Sequence, residues 1–330
     1  MQVYINTPGC KVSIKDGHLV VHPPKEEADG AVQRVPLRQI DTVFVHRATL
    51  LTAELAFAAV EHDIDVQFVD RRGKPAARLW SSRFGSISVI RKKQAAFVQG
   101  QQALDWVRQL LAEKCEQQAA LLLSLPAPAE EQLASDAAIR VVEYRRRLLE
   151  VEGGSLPEAA PRLRAMEAAA SKVYFQTLSA LMPPQYRFAQ RSQHPATDMF
   201  NCLLNYAYGI LYGKVEHALI RAGVDPFIGI FHRDEYNRPV LVYDVIERYR
   251  HWADYVVCRL CRQEVIFIEF FDVDNGAFWL NTYGKRILIQ SFTDYMDEVI
   301  GLQQLERSRN THIDLAAQQL ATFFKNLTTT

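Results

Sequence analysis

Four acidic or imidazole side chains in this sequence have types and spacing that could do chemistry together. Glu167 interrupts the alanine-rich stretch 163–175, and His232 ends the apolar run 227–231. Asp244 and Glu247 follow the apolar residues 240–243. Apolar flanks would hold each side chain rigidly. Residues three apart on a helix share a face, so Asp244 and Glu247 can point at one spot.

Carboxylates combined with one imidazole suit a hard divalent ion, Mg²⁺ or Mn²⁺, better than a thiolate-seeking metal. Such an ion beside a phosphodiester catalyses its reaction. The pattern therefore favours metal-dependent phosphodiester chemistry. In this interpretation Glu167, His232 and Glu247 are catalytic metal ligands, and Asp244 is an additional ligand.

Each of these residues also has an ordinary structural explanation. The segment from Asp244 to Glu247 fits a capping box at a helix N-terminus. A histidine at the edge of an apolar run, such as His232, is more often a hydrogen-bonded core residue. Glu167 in an alanine-rich helix can serve solubility alone. The four residues together favour a site over these explanations.

The composition limits the class of protein. A chain of 330 residues that is 48% hydrophobic can bury a large core and predicts two domains. The 38 basic and 38 acidic residues balance, which argues against non-specific coating of nucleic acid. A local basic face remains compatible with this balance, because binding depends on where the charges lie.

Several sequence signals are missing, and their absence excludes whole classes of function. The sequence has no Walker loop, GxGxxG, HExxH or GxSxG motif, which argues against nucleotide hydrolysis, dinucleotide binding, zincin chemistry and the α/β-hydrolase mechanism. Without a secretory signal or a membrane-length apolar run, we expect a cytoplasmic protein with no membrane partner.

The five cysteines are irregularly spaced and do not form a disulfide framework. Cys258 and Cys261 form a single CxxC motif, and the sequence has no second pair to complete a zinc site. We therefore interpret these two cysteines as packed together on one helix face.

The order of elements predicts an α+β fold, with a small β-rich domain over residues 1–87 and a larger, mostly α-helical domain over 88–330. Short strands separated by turns such as Asp16-Gly17 fill the first part, with one helix over 52–61 that Thr52 would cap. Helices are predicted over 93–125, 135–151, 163–181 and 195–222, the last closed by Gly223. One strand pair near 266–280 and further helices follow.

A polar stripe marks the otherwise apolar helix 195–222. Asn201, Asn205 and Tyr208 fall on one face, with Asp198 one turn earlier. Buried amides need hydrogen-bond partners, so the stripe either contacts neighbouring segments or supports the site. We favour the structural role. We assign no function to the Gln/Ala-rich segment 94–135.

Taken as a linked set, the motifs resemble the CRISPR-associated integrase family, Cas-one. They cover nearly the whole chain and comprise Glu167-x₆-Tyr174-Phe175, Arg191-x₃-Pro195-x₂-Asp198-x₂-Asn201-x₃-Asn205-Tyr206-x-Tyr208, Ala222-Gly-Val-Asp-Pro226, Gly229-Ile-Phe-His232 and Asp244-Val-Ile-Glu247-Arg-Tyr-Arg250. The front segment Asp70-x-x-Gly73 and the late segment 271–280 also resemble that family.

The resemblance implies a β-rich domain used for dimerisation, a helical catalytic and DNA-binding domain, and a homodimer. It implies a small partner protein, Cas-two, and insertion of a short double-stranded DNA fragment into a repeat array by a 3′-hydroxyl. Glu167, His232 and Glu247 match the family's positions for a Mg²⁺ or Mn²⁺ ion, with Asp244 as the accompanying acid. Many members carry Asp where Glu247 stands, which is also an oxygen donor.

We expect DNA contacts from basic residues near the glutamate helix, namely Arg164, Lys172, Arg187 and Arg191. Two other functions fit the same residues. A plain metal-dependent nuclease would use water in place of the 3′-hydroxyl. A non-catalytic scaffold that bridges DNA would use the acids only as caps and ion pairs.

Overall fold

The structure is a computed structural model that describes residues 2–24, 31–62, 64–69, 75–79, 87–193, 195–232, 238–302 and 304–328. The chain divides into two compact units, Met1–Gly85 and Ser86–Thr330. The first unit is rich in strands and the second is mostly helical, so the predicted α+β fold class is confirmed. The Asp70–Gly73 motif lies outside the described residues.

Among its described residues, the first unit contains two four-stranded sheets and one α-helix. Its elements are β1 (Gln2–Ile5), β2 (Lys11–Lys15), β3 (His18–His22), β4 (Gln33–Pro36), β5 (Thr42–His46), β6 (Leu50–Leu51), α1 (Ala53–Glu61), β7 (Asp65–Val69) and β8 (Pro75–Arg78). One sheet has the order β1-β5-β7-β8. Its first three strands are parallel, and β8 is antiparallel to β7. The other has the order β4-β3-β2-β6.

Local sequence signals explain most of this unit. Asp16 and Gly17 both have positive φ, 51° and 71°, and join β2 to β3 as the predicted hairpin turn. Apolar residues of the strands and α1, such as Val12, Val43 and Leu55, form the core of the unit. Thr52 lies at the N-cap of α1 in extended conformation, but its side chain makes no capping hydrogen bond, so that part of the prediction is wrong.

The second unit packs helices around one apolar core. Its elements are α2 (Ile87–Gln99), α3 (Gln102–Ser124), α4 (Glu131–Leu149), α5 (Leu156–Ala180), α6 (Met199–Arg221), α7 (Val240–Val245), α8 (Arg250–Arg262), β9 (Phe271–Asp274), β10 (Ala277–Leu280), α9 (Thr282–Asp297), β11 (Val299–Leu302), β12 (Leu305–Ser308) and α10 (Arg309–Asn326). The predicted strand pair is the hairpin β9–β10.

Some of the helix boundaries agree with those predicted from the hydrophobic periodicity, and others differ. Gly223, with φ of 81°, follows the C-cap residue of α6 and terminates the helix as predicted. The predicted single helix over 93–125 is two helices, because the chain breaks around Gly100 between α2 and α3. The hairpin β11–β12 was not predicted, since no Asn-Gly or Asp-Gly turn marks it.

All five cysteines are free and buried. Cys258 and Cys261 both lie on the buried side of α8, where burial raises the pKa of each thiol, which confirms packing on one helix face. Among the described residues, no helix is both long and apolar enough to cross a membrane.

Candidate metal centre and charged cavity

Two of the predicted site carboxylates meet around one cation inside the helical unit. Glu167 projects from the middle of α5, and Glu247 lies in the 3₁₀ turn 246–248 that follows α7. Lys114, on α3, donates from Nζ to Glu167 Oε1, and its Nζ lies 2.7 Å from Glu247 Oε2. Ser171 Oγ donates to the same Glu167 oxygen at 3.0 Å. Glu167 and Glu247 therefore share the positive charge of Lys114.

The electrostatics of this cluster keep its charges ionised. Arg250 Nε donates to Glu247 Oε1 at 2.7 Å. Burial would raise the pKa of Glu247, but Arg250 and then Lys114 lower it to about 2. Burial would lower the pKa of Lys114, yet Glu247 and Glu167 hold it above its usual value. At neutral pH the ionised Glu247 carboxylate therefore faces two cations, Arg250 and Lys114.

One oxygen of this cluster lacks a directed hydrogen bond. Glu247 Oε2 is buried and has no hydrogen-bond partner among the described residues, so its 2.7 Å approach to Lys114 Nζ is an ion pair without hydrogen-bond geometry. A buried carboxylate oxygen that lacks a hydrogen-bond donor is suited to a cation ligand role, because burial of an acceptor without a hydrogen bond is unfavourable.

His232 is positioned by Asp244 on a neighbouring segment. The buried Asp244 carboxylate accepts the backbone N–H groups of Ile230, Phe231 and His232 at 2.7, 3.0 and 3.0 Å. Its Oδ1 also lies 2.6 Å from His232 Nδ1. When Nδ1 donates to the carboxylate, the lone pair resides on Nε2, which is the arrangement that orients metal-binding histidines.

Asp244 and Glu247 do not point at one spot, and that expectation is wrong. The helix α7 ends at Val245, so the two residues lie where helical geometry gives way to a 3₁₀ turn. Asp244 faces the 230–232 backbone, whereas Glu247 faces Lys114 and Arg250. The capping-box alternative also fails, because Asp244 lies at the end of a helix.

The predicted ligands are brought together only in part. Among the described residues, no group of three or more His, Cys, Asp or Glu side chains is close enough to hold a metal ion. Arg164, one turn before Glu167 on α5, donates to Phe231 O at 2.8 Å and ties the histidine segment to the glutamate helix. Two carboxylate oxygens and an imidazole nitrogen fit Mg²⁺ or Mn²⁺ as a donor set.

A cavity of about 550 Å³ adjoins the shared cation. Its lining is rich in charge and includes Lys114, Glu167, Lys172, Arg191, Glu247, Arg250 and Asp254. Asp254 is buried and accepts the hydroxyls of Tyr174 and Tyr208, both at 2.6 Å. Burial raises the pKa of Asp254 despite these hydrogen bonds.

The polar stripe on α6 holds Arg191 at the cavity. The guanidinium of Arg191 donates to Asn201 Oδ1 and, at 2.8 Å, to Asn205 Oδ1. Both amides also donate to backbone carbonyls of the 190–193 segment, so the stripe makes the structural contacts predicted for it and also supports a residue of the cavity. Burial lowers the pKa of Arg191, which lines the cavity, and the nearby charges of Asp254 and Asp198 only partly offset this effect.

The other predicted DNA contacts have different surroundings. Lys172 is exposed and lines the cavity. Arg164 packs on the Phe231 ring at 4.9 Å in addition to its hydrogen bond to that residue, and Arg187 Nε donates to Met182 O at 3.1 Å beyond α5. The structure thus gives Arg164 and Arg187 local anchoring roles, while all DNA contacts stay predictions.

Sequence reasoning missed Lys114 and Arg250. A signal for Lys114 was present, because it falls on the buried stripe of α3 with Leu111, Gln118 and Leu122. A lysine at a core-facing position requires a buried anion nearby. Arg250 closes the motif that begins at Asp244, but no role was predicted for it, because its ion pair with Glu247 depends on the local 3₁₀ turn.

Comparison with known proteins gives a consistent family. The family described as CRISPR associated protein Cas1 matches residues 3–294. The chain is 29% identical over 305 residues to CRISPR-associated endonuclease Cas1 2 of Rhodospirillum rubrum, covering 88% of this chain and 85% of the relative.

Two solved structures share the fold at low identity. A casposase bound to integration product aligns with a TM-score of 0.77 at 18% identity, over 98% of this chain and 90% of that one. A Cas6-RT-Cas1–Cas2 complex aligns with a TM-score of 0.75 at 19% identity, over 99% of this chain and 35% of that one. The predicted resemblance is confirmed: the chain belongs to the Cas1 family.

Proposed function

We propose that this protein is a metal-dependent DNA integrase of CRISPR adaptation, which joins the 3′-hydroxyl of a short DNA fragment to a repeat array. One observation carries the proposal: Glu167 and Glu247, from separate elements, converge on Lys114 beside a cavity lined by charged side chains. Membership of the Cas1 family supports it, as does the endonuclease name of the Rhodospirillum rubrum relative.

We infer that Glu167, Glu247 and His232 Nε2 hold a Mg²⁺ or Mn²⁺ ion. When bound, the ion would polarise the target phosphate and stabilise charge on the attacking and departing 3′ oxygens. Asp244 fixes the His232 ring so that Nε2 presents its lone pair. Arg250 holds Glu247 from the opposite side, which leaves Oε2 for the ion.

The remaining residues of the cavity bind and position DNA in this proposal. Arg191 and Lys172 attract backbone phosphates, while the rings of Phe175 and Tyr208 hold Arg191 in place at 5.4 and 5.7 Å from its guanidinium. The reaction is a direct transesterification that conserves the number of phosphodiester bonds, so no ATP is consumed. This agrees with the absence of a Walker motif.

The partners follow from the same proposal. We expect a homodimer that acts on double-stranded DNA in the cytoplasm, together with a small Cas2 protein. The names of the two aligned structures, an integration product complex and a Cas1–Cas2 complex, support DNA and Cas2 as partners.

A strand-transfer assay tests the proposal. DNA with a free 3′-hydroxyl is supplied with Mn²⁺ or with EDTA, and joined product is separated from cut product. We expect joining in Mn²⁺, none in EDTA, and loss of joining in Glu167→Ala and His232→Ala with DNA binding largely retained. Glu116→Ala is the matched control and should keep joining intact. Glu116 lies on α3 and forms an exposed ion pair with Arg145 of α4.

The assay also separates the alternatives. Cut product without joined product would favour a plain nuclease that uses water. DNA binding without joined or cut product would favour a non-catalytic scaffold. Joining that is indifferent to EDTA and to loss of Glu167 would refute the metal site.

A further inference from the structure

Lys114 occupies the place between the two carboxylates that a bound cation would take. Its Nζ contacts Glu167 Oε1 and lies 2.7 Å from Glu247 Oε2. The ammonium is the chemical equivalent of a monovalent cation held by two acidic oxygens. We propose that Lys114 neutralises Glu167 and Glu247 in the metal-free protein and is displaced when the divalent ion binds. The inference rests on the proposed function, because it concerns the same site.

Charge and volume make the two cations mutually exclusive. In the metal-free protein, Lys114 and Arg250 balance the two carboxylates, and Glu247 offers one oxygen to each. A divalent ion between Glu167 Oε1 and Glu247 Oε2 would overlap the ammonium and repel it in a poorly hydrated environment. One of the two neighbouring cations must therefore move.

Lys114 is the cation that can leave. Its ammonium is carried on a flexible four-carbon stem, which allows it to swing without backbone movement. Arg250, in contrast, is stacked on the Tyr208 ring, with its guanidinium 4.6 Å from the ring centroid, and donates a directed hydrogen bond to Glu247. The planar guanidinium therefore stays and keeps Glu247 oriented for the incoming ion.

The cavity provides a destination for the displaced ammonium. Gln117 and Gln118 line it on the same helix as Lys114, and Ser171 lines it on α5. These polar groups, together with a DNA phosphate when substrate is present, can solvate the ammonium. A permanent structural ion pair is the opposing interpretation, in which Lys114 stays with both glutamates whatever the metal content.

The first experiment uses the unmodified full-length protein. Lysines are acylated briefly with an amine-reactive ester, with and without saturating Mn²⁺, and each site is quantified by mass spectrometry. We expect Lys114 to be protected without metal and labelled several-fold faster with Mn²⁺, while the exposed Lys285 of α9 stays unchanged. Mn²⁺ binding is followed in parallel by the electron paramagnetic resonance signal of the free ion.

The second experiment measures competition directly. Lys114→Met removes the charge and keeps an unbranched side chain one atom shorter, so Mn²⁺ should bind more tightly, by about tenfold or more. Arg145→Met, at the exposed ion pair with Glu116, should leave Mn²⁺ affinity unchanged. The metal-free Lys114→Met protein should also melt at a lower temperature than the unmodified protein, and saturating Mn²⁺ should reduce this difference.

The outcomes separate the inference from the function it rests on. If Mn²⁺ binds but Lys114 labelling is unchanged, or if Lys114→Met binds Mn²⁺ equally or more weakly, displacement is refuted and the proposed function stands. If the unmodified protein binds no Mn²⁺, both fail. Should Lys114→Met not fold, the labelling experiment on the unmodified protein decides alone.

Discussion

Asp244 Oδ1 lies 2.6 Å from His232 Nδ1, and the same carboxylate accepts three consecutive backbone N–H groups. The backbone of residues 230–232 therefore donates all its N–H groups to the buried Asp244 carboxylate. Asp244 acts on the candidate metal centre through His232, as a positioning residue, because its oxygens already accept four hydrogen bonds.

Replacement of this anion should disturb both folding and metal binding. In Asp244→Asn, the amide NH₂ would face backbone donors, so we expect a loss of about 2–4 kcal/mol in the free energy of unfolding. Mn²⁺ affinity should fall about 10- to 100-fold, because His232 loses its orienting partner. Urea unfolding and Mn²⁺ titration measure these effects. Asp272→Asn, exposed on β9, is the control, and equal behaviour of the two variants would contradict the assignment.

The two glutamates of the shared cation should differ in their contribution to stability. The side chain of Glu247 is only 8% exposed and pairs with two cations, whereas that of Glu167 is 27% exposed. We expect Glu247→Gln to lower the free energy of unfolding by about 3 kcal/mol or more, and Glu167→Gln by about 1 kcal/mol. Denaturant unfolding in EDTA provides the comparison. The reverse order would show that the buried charges are not the source of the effect.

The hydrogen bonds from two tyrosine hydroxyls to the buried Asp254 carboxylate should contribute to the free energy of unfolding. Tyr208→Phe removes one of the donors at 2.6 Å and should cost about 1–3 kcal/mol of unfolding free energy, since a buried carboxylate oxygen loses its partner. Tyr283→Phe, 71% exposed on α9, should be neutral in the same thermal and urea measurements. A neutral Tyr208→Phe would mean that Asp254 is satisfied without it.

Stability should fall in mild acid because of His251. Burial, followed by the charge of Arg309, lowers the pKa of His251 to about 4 from its ordinary 6.5. Between these pH values the unfolded chain binds a proton that the folded protein excludes. The free energy of unfolding therefore decreases as the pH falls through this window, by on the order of 3 kcal/mol at most.

Urea midpoints at pH 7.5 and pH 5 measure this dependence. His251→Gln should reduce the difference between the two midpoints, whereas His62→Gln, exposed after α1, should leave it unchanged. An unaltered difference in His251→Gln would assign the acid sensitivity to other groups.

The salt dependence of DNA affinity should show whether the cavity residue Lys172 contacts a phosphate. If Lys172 contacts one phosphate, Lys172→Gln should reduce the slope of log affinity against log salt by about 1. Arg140→Gln, exposed on α4, removes the same charge at a distance from the cavity lining and should leave the slope intact. Identical slopes for the two variants would remove Lys172 from the interface.

Local sequence patterns predicted a turn and a helix end correctly, but they did not predict the contacts between separate elements. The hairpin at Asp16-Gly17 and the end of α6 at Gly223 follow from backbone preferences that a few residues determine. The relation between Asp244 and Glu247 was mispredicted, because the rule for residues three apart assumes a continuous α-helix and this chain changes to a 3₁₀ turn. Lys114 was missed because pairing between α3, α5 and the turn after α7 depends on tertiary packing.

The burial of all five thiols makes the protein suited to site-specific fluorescence work. Because Cys10, Cys115, Cys202, Cys258 and Cys261 are all enclosed, the native chain offers little reaction to maleimide dyes. A single cysteine introduced at an exposed position such as Arg140 would take up the fluorophore selectively. Energy transfer from that dye to labelled DNA could follow docking and release in real time without a cysteine-free background.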